Sequence, residues 1–262
     1  ANEVYYRRGS SCAVATPDEI HQMGLDDERE CRASPIIRLE FADLDRRLTL
    51  GTSVNLSTIN HEQHTRTDYP DEVSHDWALS RIYGSNLNYW RELADYVFTK
   101  QAFAAIGFAA TNTSGELAKR VRFEVIKPQG SAVSLIGDAD LPEFPSARTG
   151  IFSPRLFNSS LRNPQKGTPI VLKHDGQWTL EIDFGDIQPK ATIWAVDPVY
   201  VSARTPGTHS LGVRIYADNL SEPQEEEFQL DFSIDQRPRL TLEYLEKFRD
   251  DYWKQREKEL DE

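Results

Sequence analysis

The apolar positions of this chain fall into two rhythms. From Ala102 to Ile234 they recur mostly every second residue, the period of a strand with one buried face. Ile106, Phe108 and Ala110 form one such series, and Val121, Phe123 and Val125 another, with the turn cluster NTSGELAK between them. Leu180, Ile182 and Phe184 alternate next. Trp194, Val196, Tyr200 and Ser202 then face away from Ile193, Val199, Val201 and Ala203, and Pro198 marks an edge or a bulge. Leu211, Val213, Ile215 and Ala217 predict a further strand. Phe228, Leu230, Phe232 and Ile234 predict the last. Upstream, Ile36–Phe41 and Leu48–Leu56 read as two more strands.

Two stretches follow the helical period instead. Asn88 to about Lys100 places Tyr89, Leu93, Tyr96 and Val97 on one stripe, with Ser85, Asn86 or Asn88 as caps. Leu240–Leu260 carries a narrow stripe of Leu242, Leu245, Phe248 and Tyr252, extending to Trp253, among dense charge. Near the start, Val4–Tyr6 reads as a short strand and Arg7–Ser11 as a turn. Thr16 or Asp18 can cap a short helix through Met23, with Pro17 in its first turn. Residues 24–35 are polar and aperiodic, a linker. Residues 57–78 read as a long loop, and 137–168, rich in Gly, Pro, Ser and Asn, as a long irregular excursion.

Strands with one apolar face must cover each other in pairs of sheets. The expected fold is therefore mainly β: an antiparallel Ig-like β-sandwich over 36–238, with helix 88–100 on its flank and a charged helix over 239–262.

Composition narrows the function classes. The 262 residues carry 30 Lys and Arg against 42 Asp and Glu, a net charge of −12. Such a chain repels phosphate backbones unless it holds a local basic patch. No window approaches a membrane-spanning length of apolar residues. The start lacks the apolar run of a secretory signal and an initiator Met, so a processed chain or a piece of a longer one is expected. Two cysteines, Cys12 and Cys31, imply no disulfide framework and fit a reducing, cytoplasmic setting.

Candidate chemistry is sparse. His61 and His64 have HxxH spacing, with His75 nearby, and could hold a metal for a nuclease or hydrolase. No helical stripe supports them, so the stretch reads as a solvated loop. Ser74-His75-Asp76 is a run of neighbours, whereas a nucleophile, base and orienting acid must converge in space. No phosphate-binding glycine loop or dinucleotide turn is present, and no cofactor is expected. Glu222 and Glu225–Glu227 read as edge-strand protection. Lys119, Arg120, Arg122 and Lys127 read as the outer face of a strand pair. Trp90, Trp178 and Trp194 could line a small-ligand pocket between the sandwich and helix 88–100, although core packing accounts for them as well.

A resemblance adds a context. Within VYYRRGSSCAVATPDEIHQM, the residues Tyr6, Arg8, Gly9, Ser10, Ser11, Ala15, Glu19 and Ile20 resemble the closing strand and helix of a bacterial Schlafen-type AlbA domain. The stretches NLNYWRELADYVFTKQAFAAIGFAATNTSGELAKRVRFEV, IDFGDIQPKATIWAVDPVYV and LGVRIYADNLSEPQEEEFQLDF resemble the region that follows such domains. They also resemble strands of Ig-like, CARDB-type sandwiches. The resemblance implies a bacterial DNA-binding or ATP-binding protein of transcription regulation or antiviral defence. The front of the AlbA domain, which carries that family's nucleotide-contacting residues, has no counterpart in 1–262. Only Arg7 and Arg8, on the turn beside it, could touch phosphate. The expectation is a non-catalytic module that binds a protein partner or oligomerises, contacts nucleic acid only through an attached domain, and engages no membrane.

Overall fold

A computed structural model describes residues 5–8, 11–23, 34–63, 65–72, 84–127, 131–146, 148–149, 165–174 and 177–261. The chain opens with a hairpin, β1 (Tyr5–Arg8) and β2 (Ser11–Val14), paired antiparallel. A short helix, α1, follows over 17–23. Its cap is the one the spacing T-x-x-E encodes. The Thr16 amide and hydroxyl both donate to Glu19 Oε2 at 2.9 Å, and the Glu19 amide returns a bond to Thr16 Oγ1 at 3.3 Å. Arg7 and Arg8 end the first strand of this hairpin rather than forming its turn. Residues 24–33 of the expected linker over 24–35 lie outside the described residues.

The body is a two-sheet β-sandwich. The strands are β3 (Ile37–Asp43), β4 (Leu48–Gly51), β5 (Ser53–His61), β6 (Gly84–Ser85), β7 (Ala104–Asn112), β8 (Ala118–Ile126), β9 (Val133–Ile136), β10 (Arg148–Thr149), β11 (Pro169–His174), β12 (Gln177–Ile187), β13 (Thr192–Trp194), β14 (Val199–Ala203), β15 (Gly207–Tyr216) and β16 (Gln224–Arg237). One sheet runs β11-β12-β8-β15-β16-β5. The other runs β4-β3-β7-β14-β9, with β13 also paired to β7. The small β6 and β10 pair with each other.

Facing aromatics fill the gap between the sheets. Phe41 and Phe108, from one sheet, close on Phe228 of the other, and the Phe41 and Phe228 rings meet edge-on with centroids 4.8 Å apart. Around them Leu39, Val121, Phe123, Leu180, Ile182, Val213, Ile215 and Leu230 are buried. These are the positions the alternation marked.

Four expectations need correction. Leu48–Leu56 is not one strand. Gly51 takes φ +80, a left-handed conformation open to glycine, and breaks the run into β4 and β5, which belong to different sheets. The two strand series either side of the turn cluster NTSGELAK do not pair with each other. β7 and β8 lie in opposite sheets, so residues 113–117 cross the sandwich edge. The supposed loop over 57–78 begins late, because β5 continues through His61 and a 3-10 turn occupies Arg66–Asp68. Finally, the sandwich is not wholly antiparallel: β16 pairs parallel with β5, from Gln229 opposite Ser53 to Arg237 opposite His61. Glu225–Glu227 therefore belong to a strand with neighbours on both sides, but at the end that projects beyond β5.

Two helices complete the fold. α2 (Tyr89–Ala102) lies against β5, and α3 (Leu242–Asp261) begins after Thr241, whose hydroxyl accepts from the Tyr244 amide at 3.2 Å. No described helix is long and apolar enough to cross a membrane.

Candidate interaction site on the helical flank

Where α2 and α3 meet the end of β5, a second apolar cluster forms apart from the sandwich core. Tyr69, Tyr89, Trp90, Leu93, Ala94, Val97, Leu240 and Leu245 are buried in it. The α2 stripe read from sequence is the face that packs: Tyr89, Leu93 and Val97 are buried and Tyr96 half-buried.

Polar bonds fix the cluster's geometry. The Tyr69 hydroxyl donates to the Leu240 carbonyl at 2.9 Å, tying the segment after β5 to the start of α3. The Trp90 indole N–H donates to Glu72 Oε2 at 2.6 Å, and the Arg249 guanidinium lies 5.1 Å from the centre of the Trp90 rings. Arg91 reaches Asp71 Oδ1 at 2.7 Å and the Tyr69 carbonyl at 3.0 Å. Burial raises the hydroxyls of Tyr69, Tyr89 and Tyr96 above the ordinary tyrosine range. They therefore stay neutral as donors at physiological pH.

His61 sits at the centre of a three-residue chain. It is 8% exposed. Nδ1 lies 2.9 Å from the Pro238 carbonyl and Nε2 lies 2.7 Å from the Gln101 side chain. Gln101 in turn lies 2.8 Å from the Tyr244 hydroxyl. The relay thus joins β5, α2 and α3.

Further along α3 the helix leaves the body. Phe144, from the segment after β9, stacks on Tyr252 with centroids 3.9 Å apart and planes 6° apart, and meets Trp253 and Tyr96 edge-on. Trp253 nevertheless remains 51% exposed. The stripe predicted for this helix thus holds for Leu242, Leu245, Phe248 and Tyr252, whereas Trp253 points out. Another face of the same helix lines a groove of about 380 Å³, with Tyr244, Lys247, Phe248, Asp251, Tyr252 and Gln255 along it. Aromatic residues one turn apart form one wall and polar residues one turn apart the other.

The other candidates are dispersed. His64 and His75 lie outside the described residues, and among the described residues no three His, Cys, Asp or Glu side chains cluster to hold a metal. Trp178 is buried in the sandwich core, its indole N–H donating to the Val133 carbonyl at 3.1 Å. Trp194 lies half-buried on β13, and Trp90 belongs to the helical cluster. Arg7 and Arg8 stand opposite Cys12 and Ser11 in the hairpin, and their side chains lie outside the described residues. A second hollow, about 520 Å³, lies by Arg214, Tyr216, Glu222, Pro223 and Glu225. Within that patch the Tyr216 hydroxyl donates to Glu124 and Arg214 pairs with Glu225. Lys119, Arg120 and Arg122 are exposed on β8, alternating with buried Val121 and Phe123 as expected.

Sequence reasoning did not single out Gln101, Tyr244, Phe144 or Glu72. Gln101 and Tyr244 could be found only by knowing that β5 runs to His61. Phe144 falls in a stretch with no period to follow.

No family model matches the chain, and no curated protein matches it. Among solved structures it is similar to a GH20 exo-β-N-acetylglucosaminidase from Vibrio harveyi in complex with N-acetylglucosamine, at 9% identity, 51% of this chain, 16% of that chain and TM-score 0.23. It is similar to a family 123 glycoside hydrolase from Clostridium perfringens, at 8% identity, 76% of this chain, 28% of that chain and TM-score 0.28. It is also similar to the CooA pilin subunit from enterotoxigenic Escherichia coli, at 8% identity, 75% of this chain, 98% of that chain and TM-score 0.23. The chain spans less than a third of either hydrolase. Likenesses this slight assign no family and no activity.

Proposed function

We propose that this chain is a non-catalytic β-sandwich module that engages a protein partner or a second copy of itself. In this reading it serves an AlbA-like nucleic-acid-handling domain of a bacterial regulatory or defence protein, and works in the cytoplasm without a cofactor. Nucleic acid is contacted through that domain, in keeping with a net charge of −12 here. The observation that supports the interaction role is the outer half of α3. It carries Trp253 at 51% exposure, and another face of the same helix carries the groove along Tyr244, Phe248 and Tyr252. Tryptophan anchors of this kind dominate many protein interfaces.

The experiment is light scattering coupled to size exclusion, alongside a pull-down, on the wild type and on Trp253→Ala. The expected result is an oligomer or a captured protein that the substitution weakens at least tenfold. A monomer at every concentration, with nothing captured, overturns the proposal.

A further inference from the structure

The heavy-atom positions of the His61 relay admit two complete hydrogen-bonding patterns, and they run in opposite directions. The Pro238 carbonyl can only accept, so Nδ1 of His61 carries a proton in both. When the imidazole is neutral, Nε2 must accept. The Gln101 amide then turns its NH2 toward His61, and its oxygen accepts from the Tyr244 hydroxyl. When the imidazole is protonated, Nε2 donates to the Gln101 oxygen. The NH2 now donates to the Tyr244 oxygen, and the Tyr244 hydroxyl proton is released from the relay. Every contact of 2.7–2.9 Å is satisfied either way.

We propose that His61, Gln101 and Tyr244 form a proton-coupled relay that reverses direction when His61 is protonated and turns the Tyr244 hydroxyl proton toward the α3 groove. Histidine is the side chain that ordinarily changes charge between about pH 5 and 8. Tyr244 is both the end of the relay and a lining residue of the groove. A buried protonation event thereby changes what the surface offers, from a hydroxyl committed inward to a donor facing outward. By linkage, an acceptor seated against Tyr244 favours the protonated imidazole to the same extent that protonation favours the acceptor.

The ionisable groups around the junction are mixed in sign. Just past the end of β5, Glu62 follows His61. On β16, Arg237 stands in register with His61, its Nε held by Asp235 at 2.8 Å. On α2, Lys100 precedes Gln101. On α3, Glu243 and Lys247 flank Tyr244, whose ring lies 6.2 Å from the imidazole. The relay does not depend on what binds the groove, so it stands or falls separately from the interaction role.

The test is nitrogen-detected nuclear magnetic resonance on the whole chain from pH 5 to 8.5. The expected result is that Nδ1 keeps its proton throughout, while the Gln101 side-chain amide and the Tyr244 ring resonances move with the same midpoint as His61 Nε2. In Gln101→Glu, which offers only acceptors, the midpoint rises by about one pH unit or more. A flat Gln101 amide while His61 titrates, or a His61 that does not titrate before the fold is lost, overturns the proposal. If Gln101→Glu does not fold, the wild-type coupling decides alone.

Discussion

Asn112 is the position at which a single atom exchange should cost the most. It is 0% exposed, at the end of β7 where the chain crosses from one sheet to the other. Its amide nitrogen donates to the carbonyls of Glu116 at 2.6 Å and Ile187 at 3.1 Å. Its oxygen accepts from the Ser114 amide at 3.1 Å and the Ser114 hydroxyl at 2.7 Å. All four hydrogen-bonding sites of the side chain are in use, and together they hold the crossing loop to the end of β12. At about 1 kcal/mol per bond, with a penalty of about 1–3 kcal/mol for each buried group left unpaired, Asn112→Ala should lose about 3–4 kcal/mol. Asn112→Asp keeps the shape but sets a carboxylate against two carbonyl oxygens, and should lose at least as much at pH 7. Its pH dependence follows from sign. Burial and the facing carbonyls raise the folded carboxyl above its unfolded value of about 3.9, so its contribution is intact below that value and is lost as pH rises. Urea unfolding of both variants at pH 4 and pH 7 measures this. An Asn112→Asp variant within about 1 kcal/mol of wild type at pH 7, or a deficit that does not widen from pH 4 to pH 7, refutes the reasoning.

Three further outcomes are expected. Gly107→Ala should destabilise by about 2–3 kcal/mol, because its new methyl would lie 2.7 Å from Leu44 Cδ2 and 2.8 Å from the Ala42 carbonyl, and a thermal melt lower by about 4–12 °C checks it. Thr58→Val should be neutral or stabilising by up to about 1 kcal/mol in urea, since Thr58 is 2% exposed and its buried hydroxyl finds no hydrogen-bond partner among the described residues. Glu226→Gln should raise the urea midpoint at pH 7 and not at pH 3.5. Burial, opposed by Arg38 and reinforced by Glu40, raises the Glu226 carboxyl, so its favourable contribution is present at low pH and lost as pH rises.

The sandwich was legible because burial writes itself into every second residue of β8, β12, β15 and β16. What period two cannot carry is which sheet a strand joins. Leu48–Leu56 keeps its alternation straight through Gly51, although the chain changes sheets there. β7 and β8 follow one another across a short turn cluster as a hairpin would, yet Asn112 and the loop it ties send them to opposite layers. The flank was half legible. α2 announces its buried face by spacing, but the relay is made of one polar residue from each of three distant segments, 61, 101 and 244. No local pattern records that convergence. His61 was noticed for the wrong neighbours: the sequence suggested His64 and His75, and the fold supplies Gln101 and Pro238.

The parallel pairing of β5 with β16 has a consequence for how the protein comes to be made. Ser53–His61 leaves the ribosome long before Gln229–Arg237, about 176 positions later, can meet it. Throughout that interval an early strand has lost its permanent neighbour-to-be and presents an unpaired edge to every other nascent chain nearby. Closing that sheet joins segments about 176 positions apart, and long-range closure is slow. A chain cut short before residue 229 would keep most of the sandwich's residues and still carry this open seam.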